Sequence, residues 1–561
     1  MRFFRKRSFK NRELAPEDIF IDSSNLPDFD QGRLEGRLER PISLASLALL
    51  SYCVIGLLLI LTVQAGVIEI ARGAQYKEQS EKNRVRPEVL FAERGAIVDR
   101  NGESLASNSE GEDGFPVRTY EAPGFAHLLG FVSYPKKDSS GKYYETEIEG
   151  LAGAEAAFNA RLTGKNGTHL IEEDALGNII SEGSVVPPER GETITLSVDS
   201  RVQKAFYEAI ADAAQKTPFI GGAGVIMDVN TGEVIALVSY PEYDPNILSR
   251  GKPADVIASY DTDSRRPYLD RAISGLYTPG SIVKPMIAAG AFNDGIISPD
   301  KIIVSTGSIS IPNPYDPEKP TVFKDWKALG PMNMRSAIAY SSDVYFYTVG
   351  GGFGGQKGLG IDRLAYWYRT FGFESLTGIE LGNENSGFIP TPAWKEETYG
   401  EEWRIGNTYH TSIGQYSMQV TLLEAIRAIA AIANNGKLVR PTILKDAPLS
   451  GESIAINHEG LQIAREGMRM GVMEGTSVGL NPLSYVEAAG KTGTAETGAH
   501  KEYYNAWAVG FFPYSNPKYA YAVVMERGPA GKGVGGIYVM SQLFQKMRQA
   551  APEYFGIEEE E

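Results

Sequence analysis

The sequence contains little cysteine and little histidine, and both shortages exclude classes of site. Cys53 is the only cysteine among 561 residues, which excludes an intramolecular disulfide framework and any site built from several cysteines. The five histidines are scattered, and none lies at HxH, HxxxH or HExxH spacing. No GxGxxG or GxxxxGK[ST] pattern follows a predicted strand. We therefore expect neither a metal site nor a cofactor.

Positive charge is also in short supply. The chain has 55 Lys and Arg residues against 70 Asp and Glu residues, a formal net charge of −15, which argues against nucleic acid as a partner. Apolar residues make up 42% and charged residues 22%, a balance typical of folded globular proteins. At about 150 residues per domain, the length predicts three to four domains, or one large domain with attachments.

One uncharged run near the N-terminus is long and strongly apolar. The 28 residues at 41–68, between Arg40 and Glu69, carry no formal charge, and about 20 apolar residues cross a bilayer. This run predicts a transmembrane helix, with a buried core helix or a cleaved signal peptide as the alternatives. Basic residues crowd its N-terminal side, so the positive-inside rule places residues 1–40 in the cytoplasm and the rest of the chain outside.

Beyond this helix the pattern changes twice. Residues 69–82 continue as a charged helix, and Asn101-Gly102 between short apolar runs predicts a hairpin. A run rich in Gly, Pro and Ser follows, up to a boundary at Pro187-Pro188. The next segment has regular elements, predicted as a strand at 193–198, a helix at 202–216, a hairpin at 222–240, strands at 504–512 and 519–526, and a helix at 539–551. Strands at both ends of a helix-rich segment predict an α+β fold with an antiparallel sheet covered by helices.

A GxSxG pattern occurs at residues 475–479 and, with His500 downstream, raises the alternative of an esterase. In that class the serine follows a strand and begins a helix. Here the preceding residues have helical spacing, so we interpret Ser477 as part of a loop that ends a helix.

Serine can instead be activated by a lysine three residues later on the same helix face. This spacing occurs at six serines, so it is weak evidence alone: Ser133, Ser139, Ser249, Ser281, Ser298 and Ser515. Ser281 differs because Thr278-Pro279-Gly280 predicts a turn before it, and the apolar run after Ile282 predicts a buried helix. The simpler interpretation of Ser281 is an N-capping serine with Lys284 nearby by chance.

Two further motifs favour the catalytic interpretation. Ser341-Ser342-Asp343 follows a helical pattern 60 residues after Ser281 and 150 residues before Lys491. Lys491-Thr492-Gly493-Thr494 contains the only Lys-Thr-Gly of the chain and follows a short possible strand at 485–490.

In this order, SxxK, SxD and KTG resemble the active-site motifs of penicillin-binding proteins, the acyl-serine D,D-transpeptidases. The resemblance extends to RGAIVDRNG (94–102), AHLLG (126–130), the hairpin at 222–240 and SIGQ (412–415), so it covers most of residues 70–550. The segment RGAIVDRNG resembles the N-terminal signature of the class B, monofunctional members. FKDW (323–326) and the run after Gly360 are most similar to elongation-type penicillin-binding protein 2. Most of the family has Asn where this chain has Asp343.

The resemblance implies a role for each motif residue. Ser281 is expected to be the nucleophile, with neutral Lys284 as its proton acceptor and Lys491 as the neighbouring cation. Ser341 is expected to pass a proton to the leaving nitrogen. The expected substrate-binding residues are Asp343, Thr492, Gly493 and Thr494, and the N–H groups of Ser281 and Thr494 are expected to form an oxyanion hole.

The resemblance also implies an organisation and a function. It predicts a cytoplasmic tail (1–40), a transmembrane helix (41–68), a pedestal (69–190) with a head at about 107–165, a transpeptidase domain (191–555) and an acidic tail (556–561). The implied reaction cross-links peptidoglycan stem peptides ending in D-Ala-D-Ala during cell elongation, without a cofactor and with inhibition by β-lactams. The implied partners are a membrane glycosyltransferase of the SEDS family (RodA-type) and an MreC-type scaffold. A division-type transpeptidase is one alternative, and a β-lactam sensor or β-lactamase is another.

Overall fold

The computed structural model describes residues 44–77, 85–111, 115–121, 123–139, 142–173, 179–313, 316, 318–498, 500–530 and 533–557. The predicted cytoplasmic tail (1–40) lies outside these residues, as do parts of the predicted helix at 69–82 and of the acidic tail. The chain divides into two units. One comprises residues 1–86 and 171–182, and the other comprises residues 87–170 and 183–561.

The first unit contains the predicted apolar helix. It runs from Leu44 to Gly66 and continues through a π-helical turn, Val67–Ala71. It is long and apolar enough to cross a membrane, and none of its residues is buried. A core helix of a soluble domain would be mostly buried, so this helix has the properties of a membrane anchor, and Cys53 is an exposed residue on it.

The N-terminal part of the second unit contains a four-stranded sheet. Its strands, in spatial order, are Pro116–Tyr120, Ser104–Glu110, Ile97–Val98 and Ile194–Thr195. The predicted hairpin at Asn101-Gly102 is confirmed, since Ile97–Val98 pairs antiparallel with Ser104–Glu110. The predicted strand at 193–198 is shorter than expected, because only Ile194–Thr195 pairs, in parallel with Ile97–Val98.

A buried ion cluster holds the segment around this sheet together. The Glu155 carboxylate lies 2.5 Å from Arg94 Nε and 2.6 Å from Arg118 Nε, and all three side chains are buried. The nearby elements are the helices Ala126–Leu129, Gly153–Ala157 and Asn159–Leu162 and the paired strands Val132–Ser133 and Glu149–Gly150. The other strands in this part of the chain are Val85–Leu90, Gly167–Glu173 and Ile179–Val186.

The predicted antiparallel sheet, here called the central sheet, has five strands drawn from distant parts of the chain. In spatial order they are Val234–Tyr240, Gly221–Asp228, Tyr519–Pro529, Tyr503–Phe512 and Ala489–Thr497. Gly222 pairs with Tyr240 in the predicted hairpin, and Gly493 pairs with Trp507 at the other side. We call Ala489–Thr497 the motif strand because it carries Lys-Thr-Gly. It is the last strand of the sheet in the described part of the chain, where it pairs with Tyr503–Phe512 alone.

Helices cover both faces of the central sheet, as the α+β prediction requires. On one face, Ser200–Lys216 and Gly536–Ala550 pack through Phe206, Phe512 and Phe544. On the other face, Leu422–Ala433, His458–Met473 and Lys284–Asn293 form the larger core with Trp367 and Trp507. Three of these five helices lie between residues 284 and 473. They form a layer over a sheet whose strands come before and after them in the sequence, at 221–240 and 489–529.

The remaining elements surround this layer. The other helices are Pro245–Arg250, Ala254–Thr262, Met334–Ala339, Asp343–Gly351, Ile361–Thr370, Pro392–Tyr399 and Ile405–Ser412, with 3-10 turns at Gly280–Val283, Val478–Leu480 and Pro552–Phe555. Short antiparallel ribbons pair Ile303–Ser305 with Gly330–Met332, Ser308–Ile311 with Thr321–Lys324, and Lys437–Val439 with Gly451–Ser453.

Candidate active site

The turn before Ser281 is fixed by close backbone contacts. Gly280 has φ of +57°, and its N–H donates to the Gly414 carbonyl at 2.9 Å. A Cβ at position 280 would lie 3.1 Å from the Thr494 carbonyl oxygen, so only glycine fits this conformation without strain. Trp507 Nε1 donates to the Thr278 carbonyl at 3.0 Å. The turn is thereby attached to the central sheet and to the SIGQ loop.

Ser281 lies in a 3-10 turn, Gly280–Val283, that leads directly into the helix Lys284–Asn293. This confirms the predicted helix start, with Pro285 in the first helical turn, where proline is tolerated. Within the described part of the chain, Ser281 Oγ has no hydrogen-bond partner. Its side chain is partly exposed, whereas the helix after it is buried. The hydroxyl is therefore accessible to a ligand.

Burial of the lysine distinguishes Ser281 from the other serines with SxxK spacing. Lys284 is completely buried. The five other lysines at this position are all exposed: Lys136, Lys142, Lys252, Lys301 and Lys518. A buried amine beside a serine is the arrangement that can activate it, so the structure singles out Ser281 among the six.

Ser341 Oγ lies between two buried lysines. Lys491 Nζ donates to it at 2.8 Å and Lys284 Nζ at 3.3 Å, and Lys284 Nζ also donates to the Ser341 carbonyl at 2.8 Å. Ser341 is itself buried and has φ of +61°, a conformation that non-glycine residues adopt at a cost. Residues 150 positions apart in the sequence thus share one hydrogen-bonded group.

The third residue of the SxD motif is an ion-pair partner. Asp343 begins the helix Asp343–Gly351, and its Oδ1 lies 2.6 Å from Lys284 Nζ. Ser342, also completely buried, is the N-cap of this helix and accepts a hydrogen bond from the Tyr345 N–H at 3.2 Å. Lys284 Nζ also lies 5.6 Å from the centre of the Phe346 ring. The ammonium of Lys284 is therefore matched by a carboxylate.

Lys491 is in a different environment. Its Nζ donates to Ser341 Oγ and to the Thr492 carbonyl, at 2.8 Å each, and both acceptors are uncharged. Burial lowers the pKa of Lys491 well below its usual value, and the charge of Lys284 lowers it further, while Asp343 raises it. We expected Lys284 to be the neutral lysine and Lys491 the cation. The contacts instead give Lys284 the counter-ion and favour a neutral Lys491.

The motif strand packs against the turn that carries Ser281. A Cβ at Gly493 would lie 2.7 Å from the Pro279 carbonyl oxygen and 2.8 Å from the Ile282 side chain, so the strand reaches this position only with glycine there. The sequence predicted a strand at 485–490 that ends before Lys491. This prediction is wrong, because the strand begins at Ala489 and contains the whole Lys-Thr-Gly-Thr motif.

A cavity of about 410 Å³ lies along this strand. Thr492 and Thr494 line it together with Trp507, Thr476 and the start of the helix Gly536–Ala550. Thr492 Oγ1 lies 2.8 Å from Thr476 Oγ1. Ser281 does not line the cavity, but the strand that does packs against the turn containing Ser281. The cavity therefore continues the site beyond Ser281, on the side of the two threonines.

Sequence reasoning missed a function for two residues near the site. Thr476 belongs to the GxSxG pattern, which follows the helix His458–Met473 and no strand, as predicted. Ser477 beside it is buried, so the esterase interpretation has no accessible serine. Asp325 accepts hydrogen bonds from Ser342 Oγ at 2.8 Å and from the Val344 N–H at 3.1 Å. The only sequence signal for Asp325 was its place in the FKDW segment.

Two family models match the chain. A model for the penicillin binding protein transpeptidase domain matches residues 222–545, more than half of the chain, and includes Ser281, Ser341 and Lys491. A model for the penicillin-binding protein dimerisation domain matches residues 115–196.

Similar whole proteins agree with these matches. The peptidoglycan D,D-transpeptidase MrdA of Acinetobacter baumannii is 30% identical over 84% of this chain and 83% of its own length. A structure of penicillin-binding protein 2 in complex with MreC from Helicobacter pylori is similar over 83% of this chain and 99% of the solved chain, with a TM-score of 0.68 and 26% identity. A chain from a study of polymerization and crosslinking by a peptidoglycan synthase complex covers 91% of this chain and 98% of its own length, with a TM-score of 0.70 and 25% identity.

The order of the motifs, the paired lysines around Ser341, the fold and these matches all lead to the same family. The chain belongs to the penicillin-binding protein transpeptidases, and within them to the elongation type represented by MrdA and penicillin-binding protein 2.

Proposed function

We propose that this chain is a peptidoglycan D,D-transpeptidase that uses Ser281 as its nucleophile and Lys284, Ser341 and Lys491 as a proton relay. The observation that carries the proposal is the position of Ser341 Oγ, within hydrogen-bond distance of both buried lysines. Lys284 lies one helical turn after Ser281, on the same face. The Ser341 hydroxyl can therefore pass a proton between Lys284 and Lys491 without the proton entering bulk water.

In acylation, Ser281 Oγ attacks the carbonyl carbon of the penultimate D-alanine. Its proton passes to Lys284 while Lys284 gives one to Ser341, and Ser341 gives its own to neutral Lys491. Burial and the charge of Lys284 lower the pKa of Lys491, which favours Lys491 as the proton acceptor. Asp343 remains paired with Lys284 throughout, so the ammonium of Lys284 is matched before and after each transfer. The N–H groups of Ser281 and Thr494 stabilise the oxyanion.

The C–N bond then breaks, and the proton returns from Lys491 through Ser341 to the nitrogen of the departing D-alanine. In the second half-reaction, the amine of a neighbouring stem peptide attacks the acyl-serine. The amine loses its proton into the same relay, and Ser281 recovers its hydrogen as the ester bond breaks. Atoms and charge balance without a metal or a cofactor.

The cavity beside the motif strand suits the leaving D-alanine. The hydroxyls of Thr492 and Thr494 can donate to the terminal carboxylate of the substrate. The Thr476 hydroxyl is hydrogen-bonded to the Thr492 hydroxyl. Gly493 has no side chain, so the strand can pack closely against the turn that contains Ser281. Asp343 acts on the substrate indirectly, through the charge on Lys284.

The setting of this reaction is the outer side of the cytoplasmic membrane. We propose residues 1–40 in the cytoplasm, a single crossing by the apolar helix and the catalytic unit outside. The basic residues before the helix support this orientation. A SEDS-family (RodA-type) glycosyltransferase and an MreC-type scaffold are the proposed partners, because structural relatives are a complex with MreC and a chain from a peptidoglycan synthase complex.

Labelling with a fluorescent penicillin tests the proposed nucleophile. We expect stable covalent label on the full-length protein in detergent and none on Ser281→Ala. Ser515→Ala is the matched control, since Ser515 has the same SxxK spacing but an exposed lysine, and it should label like wild type. Label that survives in Ser281→Ala contradicts the proposal, and rapid hydrolytic turnover of the penicillin points to a β-lactamase instead.

A depletion experiment tests the cellular role. Loss of an elongation enzyme should produce rounded cells that a wild-type copy restores and a Ser281→Ala copy does not. Filaments instead of round cells would assign the chain to division.

A further inference from the structure

Two adjacent residues, Asp325 and Trp326, hold the turn that contains Ser341 from both sides. On the C-terminal side, Asp325 Oδ2 accepts hydrogen bonds from Ser342 Oγ at 2.8 Å and from the Val344 N–H at 3.1 Å. On the N-terminal side, Trp326 Nε1 donates to the Tyr340 carbonyl at 3.2 Å. Ser341 is the residue between these attachment points.

The carboxylate that makes these contacts is itself held in place. Asp325 is buried, and its two oxygens accept four hydrogen bonds. Besides Ser342 and Val344, the donors are Ser305 Oγ at 2.9 Å and the Trp326 N–H at 2.9 Å. All four donors are uncharged, and Asp325 has no ion-pair partner within the described residues. Four hydrogen bonds fix the position of this carboxylate, and the carboxylate in turn restrains the groups that donate to it.

The turn needs such support. Ser341 has φ of +61°, a conformation that costs a serine free energy and that persists only where neighbouring contacts impose it. Rotating this turn would move Ser341 Oγ away from Lys491 and would also move Asp343, the next residue but one, away from Lys284. The hydrogen bonds of Asp325 restrain Ser342 and Val344, which flank Asp343.

We infer that Asp325 is a positioning residue for the transpeptidase reaction: through Ser342 and Val344 it fixes Ser341 between the two lysines and Asp343 on Lys284. The inference rests on the proposed function, because it takes Ser341 to be the proton carrier. Asp325 itself touches neither lysine nor the nucleophile, so its effect reaches the reaction only through the turn.

The chain offers a matched pair of variants for the test. Ser342→Ala and Ser305→Ala each remove one hydroxyl from the same oxygen of Asp325, at 2.8 and 2.9 Å, and both serines are buried. Only Ser342 belongs to the Ser341 turn, and it also caps the helix Asp343–Gly351, so the variant Asp325→Asn, which keeps the cap, separates the two roles. Each variant is prepared as the full-length protein in detergent. The rate constant for acylation by a fluorescent penicillin is measured across pH, and thermal unfolding gives the stability.

We expect Ser342→Ala to acylate on the order of tenfold to a hundredfold more slowly, since a displacement of about 1 Å has effects of this size. Ser305→Ala should lose stability and keep its acylation rate. In Ser342→Ala the acid limb of the rate profile should also move to lower pH, because Asp343 raises the pKa of Lys491 and would be less firmly held near it. A role in stability alone would not move this limb.

Asp325→Asn tests the carboxylate itself. It retains one acceptor oxygen and places an NH₂ group against one of the donors, so acylation should be intermediate between wild type and Ser342→Ala. Equal acylation rates in Ser342→Ala and Ser305→Ala, or an unchanged rate and pH profile in folded Asp325→Asn, would overturn the inference. Failure of the proposed function is separate, since it would appear as label on Ser281→Ala.

Discussion

Lys284 Nζ lies 2.6 Å from Asp343 Oδ1, and this contact assigns the counter-ion of the site to the lysine three residues after Ser281. Lys491, on the other side of the Ser341 hydroxyl, has only uncharged acceptors among the described residues. The two lysines are similar in burial and differ in partners. Replacing Asp343 and replacing Lys491 should therefore change the stability of the protein in opposite directions.

Asp343→Asn should destabilise the protein and slow acylation. It leaves the buried ammonium of Lys284 without its carboxylate, and breaking a buried pair in this way costs roughly 3 kcal/mol or more. Denaturant unfolding measures the loss. In a Lys284→Met background the same change should cost much less, because no ammonium remains to be left unpaired. Equal losses in the two backgrounds would mean that the contact carries no coupling energy.

Lys491→Met should abolish acylation. It should also stabilise the fold at neutral pH by roughly 1 kcal/mol, because burying the amine of Lys491 costs free energy, either for removing the ammonium from water or for deprotonating it. The pKa of Lys491 is lower in the folded protein than in the unfolded chain, so the unfolded chain binds more protons between the two values, and wild-type stability rises with pH there. The advantage of the variant should therefore shrink as pH approaches about 10.4, the unfolded value.

Denaturant unfolding at several pH values measures this difference. Lys501→Met is the control, because Lys501 is exposed and its partner is Glu496 on the surface, where single pairs contribute little. A Lys491→Met variant that is less stable than wild type at pH 7 would show that the hydrogen bonds of Lys491 outweigh its desolvation.

Gly280→Ala should cost about 1–2 kcal/mol of stability through its left-handed backbone and should also slow acylation. The added Cβ would press on the Thr494 carbonyl at 3.1 Å and move the Ser281 turn away from the motif strand. Gly295 has a similar φ, +63°, with no atom within 4 Å of the added Cβ. Gly295→Ala should lose similar stability yet label with penicillin at the wild-type rate. Equal labelling of both variants would contradict the steric argument.

How much of the site the sequence could predict depends on the range of the interactions. The start of the helix at Ser281 is set by Thr278-Pro279-Gly280 and by the apolar run after it, which are local signals, and the structure confirms it. The ends of the motif strand are set by pairing with Tyr503–Phe512, and the local pattern placed them wrongly. The charge preference of the lysines depends on which one meets Asp343, which only the folded chain decides. Asp325 was overlooked for the same reason, since its partners lie 17 to 20 residues away.

His127 should make the protein sensitive to mild acid. It is buried, and burial lowers its pKa, so the unfolded chain takes up the proton first as pH falls below about 6.5. The stability that neutral His127 contributes is then lost progressively as pH falls towards the folded value. Relative to His127→Phe, the melting temperature of wild type should fall between pH 7 and 5. His500→Phe, at an exposed position, should show no such pH-dependent difference, and parallel curves for wild type and His127→Phe would contradict the prediction.

Among the described residues the motif strand is the last strand of the central sheet, and no other strand pairs with the N–H and C=O groups along its outer side. An extended peptide can pair with such an edge through its backbone alone. Recognition of this kind reads the direction and spacing of peptide groups and is largely indifferent to side chains. The stem peptide can therefore be aligned over Ser281 by its main chain, which leaves the threonine-lined cavity to read the chain end. Tolerance of variation along the stem and strictness at its terminus would then come from two separate parts of one strand.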